Sequence, residues 1–242
     1  MAELLNRISL ESTFARRLAK LSARHRREVV ALLGNPPNAA NVPAEVWTRI
    51  RREIEEEAAA MMAMIFLESA DQHGFSGDAA IIAAEGYGAQ QAETFATRFV
   101  ETTQSRLQET SNRWRRQIEE ADDAGEEPTI SRQQVTDDTT RIFGPDRAAN
   151  AATNETTRAR HQGGEIGTAM AFGLSDDDTW FTSGRQTVCD ICSPLHNTRR
   201  PVWAAKFPGG PPDPHNLCQC YIVYANAPKP PGTWRTRDPG AR

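Results

Sequence analysis

One stretch near the C-terminus decides how the chain is organised: CDICSPLHNTRRPVWAAKFPGGPPDPHNLCQC, residues 189–220. All four cysteines of the chain lie within it, as two pairs on either side of a proline-rich segment. In a reducing compartment, cysteines clustered in this way are more typical of a metal site than of disulfides. Zn²⁺ takes four sulfur or nitrogen ligands in a tetrahedron, and a Cys-x-x-Cys pair supplies half of such a set. We therefore predict a small zinc-stapled module at residues 179–224.

Five side chains compete for the four ligand positions of this site: Cys189, Cys192, His215, Cys218 and Cys220. The spacing places Cys189 and Cys192 first, together with His215 from the turn before the second pair. Between Cys218 and Cys220 the sequence does not decide, because both thiols of an extended Cys-x-Cys segment face the same side. Disulfides, or reduced cysteines in a small core, are the alternatives to a metal.

The residues around the cysteines favour a structural metal over a catalytic one. A hydrolytic zinc site keeps one position open beside a carboxylate base, and the local acids are Asp190 and Asp213. A sulfur-rich set with four or more ligands is typical of a closed site. The apolar residues are also too few to hold a unit of about 45 residues without a staple. We predict no enzymatic activity, and His196, in a loop rich in proline and arginine, is a weaker sixth ligand candidate.

Long amphipathic helices are predicted upstream of this module. Apolar residues recur at helical spacing within residues 3–33, 43–67 and 90–118, and residues 129–142 and 146–172 also have helical character. A glycine followed by two prolines ends the first helix after residue 33. Glycines at positions 74, 77, 86 and 88 are expected to interrupt the chain between the second and third helices.

The fold class predicted from these features is a mainly α N-terminal region with long amphipathic helices, followed by a small α+β zinc-stapled C-terminal module. An acidic, glycine-containing stretch that ends at a proline is typical of a linker between two such units. The predicted organisation is a helical region at 1–118, an acidic linker at 119–128, a domain at 129–226 that contains the zinc module at 179–224, and a flexible basic tail at 227–242.

Composition excludes several broad classes of function. The formal net charge of −4 and the pI near 5.8 give no overall attraction to nucleic acid or to an anionic membrane. The longest apolar run, at 58–67, is about half of the roughly 20 residues that a membrane span needs. The first residues also lack the apolar core of a secretory signal. We therefore expect a protein made in the cytoplasm, without a membrane partner.

Two local clusters of basic residues depart from this acidic background. One is the polar face of the first predicted helix, with Arg16, Arg17, Lys20, Arg24, Arg26 and Arg27, and the other is the tail, with Lys229, Arg235, Arg237 and Arg242. Either cluster can contact DNA phosphates or an acidic partner. A solvated helix face and an ordinary disordered terminus are the simpler interpretations.

Several motifs resemble those of the phage Mu F-like head-morphogenesis, or minor head protein, family. They are NAATNETTRA at 150–159, a glycine pair at 163–164, Trp180, VCDICSPL at 188–195 and PDPHNLCQC at 212–220. The resemblance covers roughly residues 129–224, and the closing His-x-x-Cys-x-Cys is its most specific part. Asn216 and Gln219 depart from the proline and arginine that the family usually has there, and His196 stands where a glycine is usual.

This resemblance implies a virion protein of a tailed phage or prophage. Such a protein is present in few copies in the phage head, is made in the host cytoplasm, and acts in capsid assembly at the portal vertex. The implied partners are the portal protein, the major capsid protein and the packaged DNA. Long helices without a catalytic constellation suit this role, since amphipathic helices can dock into grooves on other subunits.

Two other functions remain possible from the sequence. A treble-clef-type nuclease would use a zinc-supported histidine and asparagine, and His215-Asn216 is its only hint. A zinc-stapled DNA-binding or adaptor protein would need a basic recognition helix inside the cysteine module. The proline-rich segment between Cys192 and His215 shows no helical period, so no recognition helix is predicted there.

Overall fold

The computed structural model describes residues 2–127, 129–182, 189–213, 215 and 217–228. It is mainly helical, with a small three-stranded sheet near the C-terminus. This confirms the predicted fold class at the level of secondary structure. The predicted basic tail lies outside the described residues from position 229 onwards. Among the helices that are described, none has the length and apolar character needed to cross a bilayer.

The helices follow the predicted order along the chain. They are α1 (Ala2–Leu32), α2 (Ala44–Gln72), α3 (Asp78–Asp123), α4 (Arg132–Phe143), α5 (Pro145–Ala171) and α6 (Arg200–Lys206). The first helix ends as its sequence predicts, since Gly34 adopts a φ of +80° in the left-handed region that glycine tolerates best. The Asn41 amide donates to the carbonyl of Leu33 at 2.7 Å, which caps the free C-terminus of α1.

The expected interruption at Gly86 and Gly88 is wrong. The third helix runs through both positions without a break. A Cβ on Gly88 would lie 2.6 Å from the carbonyl oxygen of Ala59 and 2.9 Å from the Cβ of Ala63, so α2 and α3 approach closely here. Gly88 is therefore a helix-packing position, and the local helix-breaking tendency of glycine is overridden by tertiary contact.

Gly88→Ala is expected to lower the free energy of unfolding by about 1–3 kcal/mol, because the added methyl group collides with the backbone of α2. Gly86→Ala is the matched control. Nothing lies within 4 Å of a Cβ at that position, so the better helix propensity of alanine should stabilise by about 0.5–1 kcal/mol. Urea denaturation measures the free energy of unfolding of both variants, which should fall for Gly88→Ala and rise for Gly86→Ala. Equal changes in the two variants would contradict the packing role of Gly88.

Contacts divide the chain into two compact units. The first comprises Met1–Leu10, Ile65–Ala83 and Thr156–Arg242, and the second comprises Glu11–Met64 and Ala84–Glu155. These boundaries differ from the predicted ones at 118 and 128. The third helix continues through residues 119–123 of the expected linker, because its Glu-Glu-Ala segment at 119–121 favours a helix and Gly125 is the first helix breaker. The α4 region accordingly groups with the helices before it.

The second unit has an apolar core between its helices. Its largest fully buried side chain is Trp114, packed in one cluster with Ile50, Ile54 and Phe143. The Trp114 indole donates to the carboxylate of Asp138 at 2.9 Å. Because α4 contributes both Asp138 and Phe143, residues 132–143 are part of this core.

The first unit contains the cysteine module and its sheet. The sheet is antiparallel with strand order β2-β1-β3, formed by β1 (Thr179–Phe181), β2 (Thr198–Arg199) and β3 (Tyr221–Val223). The short helix α6 lies between the two cysteine pairs, in a segment whose sequence shows no helical period. Pro201 in its first turn fits, because a proline is tolerated where no intrahelical N–H bond is required.

Candidate metal centre

The first cysteine pair lies on a tight turn after β1. Both Cys192 and Ser193 donate their backbone N–H to the carbonyl of Cys189, at 3.1 and 2.9 Å. The Cys192 N–H also lies 3.3 Å from the Cys189 sulfur. This turn brings the two sulfurs to the same side, as the Cys-x-x-Cys spacing predicts.

The second half of the site comes from the segment that leads into β3. Leu217, just before Cys218, has a φ of +63°, an uncommon conformation for a side chain branched beyond Cβ. Cys220 lies two residues after Cys218. The next residue, Tyr221, pairs with Phe181 of β1. The sheet therefore holds the second half beside the strand that precedes the first half.

All five predicted ligands lie together. The His215 Nε2 is 2.9 Å from the Cys189 sulfur and 3.0 Å from the Cys192 sulfur. The Cys192 sulfur is in turn 3.8 Å from that of Cys218. The ligand atoms form two overlapping groups that could each hold a metal ion, Cys189 with Cys192 and His215, and Cys192 with Cys218 and Cys220, and within each group they lie within 4.8 Å of one another.

The donor set fits a tetrahedral zinc ion. A Zn–S bond of about 2.3 Å implies a separation of about 3.8 Å between two bound sulfurs, the distance found between Cys192 and Cys218. The sulfur to nitrogen distances of 2.9 and 3.0 Å are shorter than the corresponding tetrahedral edge of about 3.5 Å, so a bound zinc ion would require His215 to lie about half an ångström further out. All four thiols are free, and a disulfide would need a contact near 2.05 Å.

Two thiols of the site, Cys192 and Cys218, are poor anions without a cation, because the pKa of each is raised. Burial, with the neighbouring Cys218 as the next cause, raises the pKa of Cys192 to about 12. The pKa of Cys218 is raised further, first by its hydrogen bond with Cys220 and then by burial. A divalent cation supplies the missing positive charge, so metal binding here releases protons from buried thiols.

The weaker candidates lie outside the two ligand groups. His196 uses its Nδ1 to accept from the N–H and the hydroxyl of Thr182, at 3.3 and 2.9 Å, and its ring meets the Phe181 ring edge-on. It therefore fixes the end of β1. Asp190 is exposed, and neither it nor Asp213 joins a potential ligand group in the described part of the chain.

Sequence reasoning missed a buried ionic network in the same unit. Arg200 of α6 forms two bonds of 2.7 Å with the carboxylate of Glu165 on α5, and its Nε lies 3.1 Å from Asp178. Asp178 is fully buried and also accepts the backbone N–H groups of Ser175 and Ala225. The three residues are far apart in sequence and follow no motif, so only the fold identifies them.

A buried histidine lies beside this network. The His161 Nδ1 is 3.4 Å from the Tyr224 hydroxyl, and the Tyr224 ring meets the His73 ring edge-on. Gly210, at a φ of +64°, lies so close to the imidazole of His161 that a Cβ there would overlap it. Burial lowers the pKa of His161 to about 4, so this imidazole is neutral at pH 7.

Acidification is expected to destabilise the protein through His161. An unfolded histidine has a pKa near 6.5, so between pH 6.5 and about 4 the unfolded chain binds a proton that the folded chain excludes. Stability is therefore lost as the pH falls through this window, by about 1.4 kcal/mol per pH unit and by about 3 kcal/mol in all. Urea titrations at a series of pH values measure this slope.

His161→Asn removes this contribution and should flatten the profile. The charged and titratable groups around His161, namely Glu165, Arg200, Asp213 and Tyr224, are present in both proteins, so the difference between the two profiles isolates the histidine. Parallel profiles for the two proteins would show that His161 accepts a proton in the folded state.

Part of the basic face of α1 is neutralised by α2. Arg17 pairs with Glu57 at 3.0 Å, and Arg24 pairs with Glu53 at 2.5 Å. The buried His25 shares Glu53 at 2.7 Å. Fewer of the predicted basic residues are therefore available to an external anion than the sequence implied.

Comparison of the chain with protein-family models, with curated proteins and with solved structures finds no match.

Proposed function

We propose that this chain is a non-enzymatic minor head protein of a tailed phage or prophage, closed at its C-terminal module by one structural Zn²⁺. The observation that supports it is the convergence of the motif residues: the His215 Nε2 lies 2.9 Å from the Cys189 sulfur and 3.0 Å from the Cys192 sulfur, and Cys218 and Cys220 form an overlapping group with Cys192. These are the positions on which the family resemblance rests. The role in the virion rests on that resemblance.

A staple is needed because the sheet is very small. Its strands are two or three residues long, whereas isolated small sheets need more strands or a covering layer to be stable. The ligands come from both sides of α6, so one ion would tie the segment before this helix to the segment after it. Binding free energy is then folding free energy, as in other small metal modules.

The proposed partners are the portal protein, the major capsid protein and the packaged DNA. For DNA, the basic residues that α2 does not neutralise are the relevant ones. Lys20 and Arg27 are exposed, and within the described residues neither forms an ion pair. The basic tail is the second proposed contact. Both contacts are electrostatic, so DNA binding should weaken steeply with added salt.

The test is co-expression of the chain with the portal and major capsid proteins of a phage or prophage that carries it. Purified heads should contain the chain in few copies, and the chain alone should bind the portal protein. A Cys189→Ser, Cys192→Ser double variant that lacks the metal is the matched control and should be missing from the heads. A zinc-loaded chain that associates with neither partner would contradict the proposed role while leaving the metal site intact.

The features of α6 do not favour the alternative of a DNA-binding protein. Helix α6 has only seven residues, and its Arg200 guanidinium is bound by Glu165 and Asp178. A recognition helix presents its basic side chains to bases and phosphates, which this arginine does not.

Incubation of the zinc-loaded chain with plasmid DNA and Mg²⁺ tests the nuclease alternative, for which cleavage is the required result.

A further inference from the structure

The structure distinguishes between the five candidate ligands. We infer that the metal is bound by Cys189, Cys192, His215 and Cys218, and that Cys220 is a positioning residue beside the Cys218 sulfur, outside the coordination sphere. This inference rests on the proposed metal site. The competing arrangement is a four-cysteine site that leaves out His215.

The first argument is the spacing within each half of the site. Cys189 and Cys192 are separated by two residues, and so are His215 and Cys218. Ligand pairs of structural zinc sites are typically separated by two to four residues, because a turn of that length lets both side chains converge on one ion. Cys218 and Cys220 are separated by one residue, which is too short for such a turn. Cys218 with His215 therefore repeats the two-residue separation of the first pair, whereas Cys220 is separated from His215 by four residues, the upper end of the typical range.

The second argument is the position of His215. Its Nε2 lies between the sulfurs of Cys189 and Cys192, at 2.9 and 3.0 Å. A histidine outside a four-cysteine site would have no reason to contact both sulfurs of the first pair. An ion between these three atoms needs only a small outward shift of the imidazole, since the tetrahedral edge is about 3.5 Å.

The third argument concerns Cys218. Its sulfur lies 3.8 Å from that of Cys192, the separation of two sulfurs bound to one zinc ion. The side chain is 1% exposed. Leu217 holds a left-handed backbone directly before it, and strain of this kind is retained when the surrounding structure needs the resulting direction of the chain. The backbone at this point therefore favours Cys218 as the residue that is aimed at the metal.

Cys220 has a different environment. It directly precedes β3, whose first residue Tyr221 is paired with Phe181, so the sheet restricts its backbone. Its sulfur lies within 4.8 Å of the sulfurs of Cys192 and Cys218. Hydrogen bonds from outer groups to metal ligands orient the ligands and typically change metal affinity by about 10–100-fold. Cys220 is placed to act in this way on Cys218.

The first test uses the full chain loaded with Zn²⁺. X-ray absorption at the zinc edge should give three sulfur ligands and one nitrogen ligand. Four sulfurs without nitrogen would overturn the assignment of His215. A wild-type chain that binds no metal would instead contradict the proposed metal site itself, so the two failures are distinguishable.

The second test separates Cys218 from Cys220 with Co²⁺ as an optical probe. Thiolate-to-cobalt charge-transfer absorbance scales with the number of bound sulfurs. Cys220→Ala should leave the absorbance per bound ion unchanged and weaken the affinity by about 10–100-fold. Cys218→Ala should lower the absorbance per ion by a third, because three sulfurs become two, and should weaken the affinity at least about tenfold more than Cys220→Ala.

The reverse pattern would overturn the inference. A one-third loss of absorbance in Cys220→Ala makes Cys220 the ligand, and full absorbance in Cys218→Ala excludes Cys218. If Cys218→Ala fails to fold, the absorbance of Cys220→Ala and the sulfur count of the wild-type chain still decide between the two thiols. His215→Ala provides the matched control, since it removes the nitrogen ligand and should leave all three sulfurs of the charge-transfer spectrum.

Discussion

Cys192→Ala is expected to abolish metal binding and to unfold the cysteine module. Cys192 is the one residue shared by both groups of potential ligands in the described chain, so its loss leaves no group of three intact. Structural zinc contributes about 10–16 kcal/mol of apparent binding free energy in small metal modules, which is as large as the typical stability of a whole domain of about 5–15 kcal/mol. The expected metal content therefore falls from about one ion per chain to none.

Elemental mass spectrometry gives the metal content, and hydrogen exchange gives the unfolding. The amides of β1 and β3 should lose their protection, whereas those around Trp114 should keep it, because that tryptophan belongs to a separate apolar core. Cys220→Ala is the control, since it removes a buried thiol of the same cluster and should keep the metal. If Cys192→Ala still bound about one zinc ion per chain, the Cys192 sulfur would not be a required ligand.

The helices could be predicted because their signals are local. Apolar spacing and a glycine-proline stop located α1 almost to the residue, and α2 begins where its predicted proline start lies. The clustering of potential ligands could also be predicted, because a Cys-x-x-Cys spacing brings two thiols together on one turn. In both cases the physical cause lies within a few neighbouring residues.

The errors came from tertiary contact. Glycine has a low helix propensity, and yet Gly88 lies inside α3. Its missing side chain lets α2 approach closely at this position. The position of helix α6 was not predicted either, because contacts outside this helix hold it in place. Its Arg200 binds Glu165, and the indole of its Trp203 donates to the carbonyl of Asp178 at 3.0 Å.

The ionic network around Arg200 could not be predicted for the same reason. Glu165 and Arg200 are 35 positions apart, and Asp178 reaches Ala225 at a separation of 47. In the sequence, each of these residues resembles an ordinary charged residue on the protein surface. Buried charges of this kind are tolerated only when geometry satisfies them, so they show which elements of the module must be fixed together: α5, α6 and the two ends of the sheet.

Asp178→Ala should therefore destabilise the protein by about 3–5 kcal/mol, the typical cost of removing one partner of a buried ion pair. Asp178 is fully buried, and its loss leaves the N–H groups of Ser175 and Ala225 without their acceptor while Arg200 keeps only Glu165. Thermal and urea denaturation of the zinc-loaded chain measure the effect.

The adjacent aspartate is a matched control for this substitution. Asp177 pairs with Arg199 at 3.0 Å, but both side chains are more than half exposed, and ion pairs of that kind contribute about 0–1 kcal/mol. Asp177→Ala should therefore change stability by less than about 1 kcal/mol. If Asp178→Ala were no more destabilising than Asp177→Ala, the network would be an incidental pairing. If Asp178→Ala alone also lowered zinc affinity, the network would be coupled to the metal site through the sheet that carries both.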